Sequence, residues 1–185
     1  MVVPVPDPQR VRDDIARLRS SGSLCIDASS MIICNKAGIL DALGACCRLF
    51  TVKPVLAETG YADAPVLLLP ASVAPDDSLA RGLSDADRLL LAGALTTGLP
   101  LVSDDRALLA AAAAAGLSYF NALMMLNLLL AHGAVRPGRA EDTGGASDAL
   151  EARRLLLKAG RYHPDVVAYA DAVRLAISAD ATAAR

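Results

Sequence analysis

The residues of this sequence best suited to building a reactive site are carboxylates that follow short apolar runs. Leu24-Cys25-Ile26 stops at Asp27, and Leu101-Val102-Ser103 runs directly into Asp104 and Asp105. Glu58 lies in a short helical segment opened by Pro54, and Asp87 lies in the first turn of a helix that starts after Ser84. Hard divalent cations such as Mg2+ and Mn2+ take oxygen ligands, and several carboxylates on separate elements can form an open site that keeps waters. Such a site polarises a phosphoryl oxygen and lowers the pKa of a bound water, which suits phosphodiester hydrolysis.

Each acid also has a plainer explanation. Ser84-x-x-Asp87 resembles a capping box with Asp in place of Glu or Gln. Asp105 can cap the helix that follows it, Asp27 can do the same, and Glu58 can be a solvated surface acid. Singly, the plainer explanation outweighs the functional one. Together the acids argue otherwise, because two of them end candidate strands and a third starts a helix, positions that share one edge of a parallel sheet. Capping does not require that gathering, whereas a metal site does.

Other chemistries fit less well. A phosphoaspartyl hydrolase would want a second Asp where Ser29 stands, and a P-loop would want a glycine-rich turn where Ala28-Ser29-Ser30 stands. There is no G-x-S-x-G. The four cysteines, Cys25, Cys34, Cys46 and Cys47, form no C-x-x-C, and with two histidines they make a poor zinc set. They read as buried thiols. His132 and His163 read as a helix end and a turn. Tyr162 and Tyr169 read as core or interface residues.

The elements that must position the acids follow from local signals. Asp7-Pro8 starts a helix with Val11, Ile15 and Leu18 on one face. A buried strand ends at Asp27, and two short helices hinged near Gly38 cover Met31–Leu43. Leu49–Val52 is a second strand. Val66–Leu69 is a third, fenced by Pro65 and Pro70 and so placed at an edge. Ala71–Gly82 reads as loop. A helix over Asp85–Thr97 ends at Gly98, a strand at Leu101–Ser103 precedes an alanine-rich helix stopped by Gly116, and a last strand at Ser118–Phe120 precedes a helix capped by Asn121. Pro137–Ser147 reads as a linker, after which helices over Asp148–Ala159 and Asp165–Ser178 follow. The second presents Val166, Tyr169, Val173 and Ile177 on one face, to pack on the core or a second subunit. Alternating strands and helices predict an α/β fold, a mainly parallel central sheet with helices on both faces. The expected division is an α/β domain over residues 1–138, with a linker and helical extension over 139–185.

The totals bound the partners. The chain has 185 residues, 54% of them hydrophobic, a formal net charge of -2 and a pI near 5.6, so bulk charge does not hold nucleic acid. Met1–Pro6 lacks the pattern of a signal peptide. The apolar stretch Ala122–Ala131 is shorter than the roughly 20 residues that span a bilayer. The expectation is a cytoplasmic protein without a membrane partner.

With its acids in this order, the chain resembles the PIN domain ribonucleases. Leu24 to Ile32 resembles that family's first strand and acid, Lys36 to Leu43 its following helix pair, and Pro54-Val55-Leu56-Ala57-Glu58 its second-acid segment. Leu83-Ser84-Asp85-Ala86-Asp87 with Leu89 to Ala92 is similar to the third, and Leu101 to Arg106 to the fourth; the likeness covers residues 24 to about 135. The resemblance implies a three-layer α/β/α sandwich and a pocket holding one or two Mg2+ or Mn2+ ions. It implies metal-dependent endoribonuclease activity, with Asp27, Glu58, Asp87 and Asp105 as the catalytic acids and Asp104 as a close competitor of Asp105. Ser29 and Ser103 would orient a ligand or water, and Lys36, Arg88 and Arg106 are candidate phosphate contacts. The family also admits an antitoxin protein as partner and a homodimer or higher homo-oligomer. The alternative is a non-catalytic PIN-like scaffold that binds a partner protein or RNA through its C-terminal helices.

Overall fold

A computed structural model describes residues 7–61, 63–70, 81–135 and 149–183. The expected loop at 71–80 and the linker at 137–147 lie outside the described residues. The first helix, α1 (Pro8–Ser20), begins as its sequence dictates, with Asp7 accepting from the Gln9 amide at 2.9 Å and Pro8 in the first turn. Val11, Ile15 and Leu18 form its buried face. Next come β1 (Ser23–Ile26), α2 (Ala28–Lys36) and α3 (Leu40–Cys46), with Gly38 at φ 70° making the hinge between the helices. β2 (Arg48–Thr51), α4 (Lys53–Thr59) and β3 (Val66–Leu68) complete the first half. The second half is α5 (Asp85–Thr97), β4 (Leu101–Val102), α6 (Arg106–Ala114), β5 (Tyr119–Phe120), α7 (Ala122–Ala131), α8 (Ala149–Ala159) and α9 (Pro164–Ala183).

The five strands among the described residues form one sheet in the order β3-β2-β1-β4-β5, and every pairing is parallel. Cys25 of the central strand stands opposite Phe50 on one side and Leu101 on the other. Leu24, Cys25 and Ile26 are all fully buried, as a parallel strand covered on both faces requires. The proline-fenced strand β3 does lie at an edge. The chain steps from β1 outward to β2 and β3, then returns to the far side of β1 for β4 and β5. Right-handed crossovers therefore put α5 and α6 on the opposite face from α2 and α3, and the observed contacts agree, α5 meeting α6 and α2 meeting α3 and α7. The switch in direction lies between β1 and β4, where open α/β sheets bind ligands at the strands' carboxyl ends.

Close approach decides one loop. A Cβ on Gly44 of α3 would stand 2.5 Å from Pro65 Cβ and 2.8 Å from its Cγ. A proline ring fixed at the start of β3 has little room to yield. Gly44→Ala is therefore expected to lower the urea midpoint by an amount worth about 1–3 kcal/mol, despite alanine's better helix propensity. A raised midpoint would show that the ring gives way and that the contact is soft.

α7 is buried along almost its whole length, Ala122 to Leu129, so it is a central helix and not a surface one. α1, α2 and α3 meet it, and α8 and α9 cover the remainder. Leu156 of α8 and Ala170, Val173 and Ile177 of α9 belong to the same apolar core as β1. Val173 and Ile177 of the α9 face singled out in the sequence are thus buried in the chain's own core, with Tyr169 packed against it. Asn127 Nδ2 donates to the Ala170 carbonyl at 2.9 Å, Tyr169 Oη donates to Asp14 at 2.6 Å, and Arg153 binds Asp171 through two nitrogens. The chain's final described helices are docked by apolar packing and by these polar pins together. Among the described residues no helix is long and apolar enough to cross a membrane.

Candidate functional site: two carboxylates at the switch point

Two acids meet where β1 and β4 end. The Asp27 backbone N–H donates to the Val102 carbonyl at 3.1 Å, so its position is fixed by the last rung of the ladder. Its side chain is 3% exposed. Oδ1 accepts from the Ser30 amide at 2.7 Å, which makes Asp27 the N-cap of α2. Oδ2 accepts from Ser29 Oγ at 2.8 Å and Ser103 Oγ at 2.6 Å. Ser103 Oγ also accepts the Asp105 amide at 3.0 Å, so one buried hydroxyl ties the two strand ends together.

Asp104 is the second acid. Its Oδ2 accepts from Ser30 Oγ at 3.0 Å and from the Ala122 amide, at the start of α7, at 3.3 Å. Its Oδ1 is buried and has no hydrogen-bond partner. Ser30 thus serves both acids, its amide holding Asp27 and its hydroxyl holding Asp104. Cys34, one turn along the same face of α2, is fully buried beside them.

Electrostatics reflects this crowding. Burial pushes the Asp27 carboxyl up, against the lowering effect of the hydrogen bonds from Ser103, Ser30 and Ser29. Burial also pushes Asp104 up, opposed by the Ser30 and Tyr162 hydroxyls, and the negative charge of Asp27 raises it further. The Cys34 thiol is driven well up by burial first, then by the charges of Asp104 and Asp27. It is held as an inert thiol. No lysine or arginine is among the groups that set either carboxyl.

The other sequence candidates are placed elsewhere. Asp105 is exposed and caps α6, accepting from the amides of Ala107 and Leu108 at 2.7 and 2.9 Å. It is thus Asp104, the competitor, that is turned towards Asp27. Asp87 accepts from Ser84 Oγ at 2.7 Å while its own amide donates to that hydroxyl at 3.1 Å, a closed capping pair. Glu58 is exposed on α4. Lys36 is exposed at the far end of α2, roughly 12 Å along the axis from the residue after Asp27. Arg106 is exposed in the first turn of α6, next to Asp105, and Arg88 is half-buried in α5. Among the described residues no set of three or more His, Cys, Asp or Glu side chains gathers in a metal-holding arrangement.

Two contributors escape the sequence reading. Ser30 is one residue beyond the serine singled out, and its signal is the i, i+4 face that it shares with Cys34. Tyr162 comes from the connection between α8 and α9 and is electrostatically coupled to Asp104 and Cys34. Its distance along the chain leaves no local signal.

No protein-family model, curated protein or solved structure matches this chain. What the site can do therefore rests on its chemistry. A buried and a half-buried carboxyl with no cationic neighbour among the described residues have two ways to relieve their repulsion: sharing a proton or accepting a cation. The unpartnered Asp104 Oδ1 fits a hard cation, as oxygen ligation from two strand ends leaves the remaining positions to water and substrate.

Proposed function

We propose that this protein is a divalent-cation-dependent ribonuclease of the PIN type, with Asp27 and Asp104 as its central acids. The observation that carries the reading is the meeting of a buried carboxyl, Asp27, and a half-buried one, Asp104, at the switch point of an all-parallel 3-2-1-4-5 sheet, with one oxygen of Asp104 buried outside any formed hydrogen bond. The order of acidic segments along the chain supplies the family resemblance, and that resemblance supplies RNA as the substrate class. Mg2+ or Mn2+ held by these acids would polarise a backbone phosphate and provide a hydroxide-like water. Ser29, Ser30 and Ser103 fix the orientation of Asp27, while Ser30 and the Ala122 amide fix Asp104. Asp105, Glu58 and Asp87 stand as outer acids in this reading, and Arg106 and Arg88 as candidate phosphate contacts.

The test is calorimetric titration of Mn2+ near neutral pH into the wild type and Asp104→Asn, followed by cleavage of a single-stranded RNA. Loss of a direct ligand should weaken binding at least about tenfold. Equal binding by both proteins would remove Asp104 from the site.

A second reading is a PIN-like scaffold that binds a partner protein or RNA without cleaving it. Its specific support is that three donors occupy Asp27 and that Glu58 and Asp87 stay with solvent or their own cap. Val173 and Ile177 of α9 are committed to the core, so a partner would need another surface. A wild type that neither binds Mn2+ nor cleaves RNA favours this reading.

A further inference from the structure

The connection between α8 and α9 is short, Gly160 to His163, and it delivers Tyr162 to the Asp104 side of the carboxylate pair. The ring lies against Gly160, so closely that a Cβ there would penetrate it. Gly160 is buried and its φ is not positive, so the absence of a side chain at this point serves the ring and not the backbone. It is the hydroxyl end of the ring that lies there, and Tyr162 Oη is buried without a formed hydrogen bond, as is Asp104 Oδ1. The Tyr162 hydroxyl stands close enough to Asp104 to lower its pKa as a donor, yet the two oxygens fall short of a well-formed hydrogen bond. A buried hydroxyl and a buried carboxyl oxygen that face one another without a well-formed hydrogen bond make a contact that is easily exchanged for water or another partner.

From this arrangement we infer that the α8–α9 connection is a cover over the candidate site, with Tyr162 closing Oδ1 of the half-buried Asp104 from solvent until the connection is displaced. The inference rests on the reading of Asp27 and Asp104 as a cation site for its functional meaning, but the cover itself is a property of the fold. Asp27 is nine-tenths buried and more, and Asp104 Oδ1 is sealed, so a hydrated divalent ion needs an opening. The rest of the wall is β1, β4, α2 and the start of α7, all parts of the sheet–helix body. Tyr162 comes from a connection that lies outside that body, between α8 and α9. A protein whose binding-competent form is a fraction of the population shows an apparent affinity reduced by that fraction.

Carboxyl labelling tests the cover without any metal. The full-length protein is treated with a water-soluble carbodiimide and glycine ethyl ester, and modification is mapped by peptide mass spectrometry. Exposed Asp105 is the internal standard beside Asp104. In the wild type Asp105 should be labelled and Asp104 protected. Tyr162→Ala should raise labelling of Asp104 relative to Asp105 at least about fivefold by removing the local closed state. Gly160→Ala should do the same by displacing the ring, and it keeps the test open if Tyr162→Ala does not fold. Asp27, held from within the body, should remain protected in both. Labelling of Asp104 equal to Asp105 in the wild type, or unchanged in the folded variants, overturns the cover.

The same proteins are titrated with Mn2+. Tighter binding by the variants, about threefold or more, is the result expected of a removed closed state. Weaker binding by a folded variant with labelled Asp104 overturns the cover as a barrier to the ion. Raised labelling with no Mn2+ bound by any protein leaves the cover standing and removes the cation reading.

Discussion

Asp27→Asn is expected to abolish Mn2+-stimulated RNA cleavage and, at the same time, to raise the unfolding midpoint near neutral pH. The loss of activity should be at least about a hundredfold, as a metal-bound carboxylate contributes several kcal/mol of transition-state stabilisation. The gain in stability follows from burial. The Asp27 carboxyl is pushed above its ordinary range mainly by desolvation, so the folded state holds its proton more strongly than the unfolded state does. Raising the pH through the unfolded and then the folded pKa therefore removes stability from the wild type. Asn carries no charge at any pH and escapes that loss. It can also keep the local bonds, since Oδ1 still accepts the Ser30 amide, and the Ser29 and Ser103 hydroxyls can turn to accept from Nδ2. The expected gain is about 0.5–2 kcal/mol, or roughly 1–8 °C in midpoint for a chain of this size. The sign has a pH signature: the difference is largest at neutral and mildly alkaline pH and fades below about pH 4, where both side chains are neutral. Thermal unfolding followed by circular dichroism across that range checks it. A variant less stable than wild type at neutral pH would show that the fold compensates the Asp27 charge, and the site would then be structural.

The parts of this fold that were legible in the sequence are those with local signals. Asp7-Pro8, Gly38, Gly98, Gly116 and Asn121 each mark a boundary through backbone chemistry that needs no tertiary partner, and each boundary is found there. The prolines around Val66 signalled an edge strand because a missing N–H cannot serve a central ladder. The last helix is longer than its apolar pattern, Pro164–Ala183 against an expected Asp165–Ser178, because alanines extend it without adding to the periodic face. The site was legible to the extent that it is made of strand ends. Asp27, Ser29 and Ser103 follow from where β1 and β4 stop. The choice between Asp104 and Asp105 does not, as adjacent residues in a strand-to-helix turn point in different directions and only the neighbouring elements decide which is turned inward. Asp105 found amides in its own helix, and Asp104 found Ser30 and the start of α7. Glu58 and Asp87 show the limit of reasoning from order along the chain, since each satisfies the plainer explanation available to it. Tyr162 shows the opposite limit, a residue whose role is set by a contact far away in sequence.

The second large expected effect concerns α8. Leu156→Ala should destabilise the whole protein, by about 2–5 kcal/mol, in one cooperative urea transition. The reason is α7. A helix with Leu, Met and Ala on nearly every side cannot present a polar face to water, so its outer surface needs α8 and α9 as much as its inner surface needs α1, α2 and α3. Leu156 is fully buried in the core that includes Leu24 and Ile26, and removing its side chain leaves a cavity shared by both parts. Circular dichroism in urea and amide exchange at Leu24 and Cys25 measure the two parts separately. The midpoint should fall with an unchanged slope, and the β1 amides should lose protection along with α8. Two resolved transitions, with β1 protection untouched, would instead make residues 149–183 an appendage. The distinction matters for the site. If α8 and α9 unfold only with the body, exposure of Asp104 cannot come from their release, and it must come from local movement of Gly160 to His163 between two helices that stay in place.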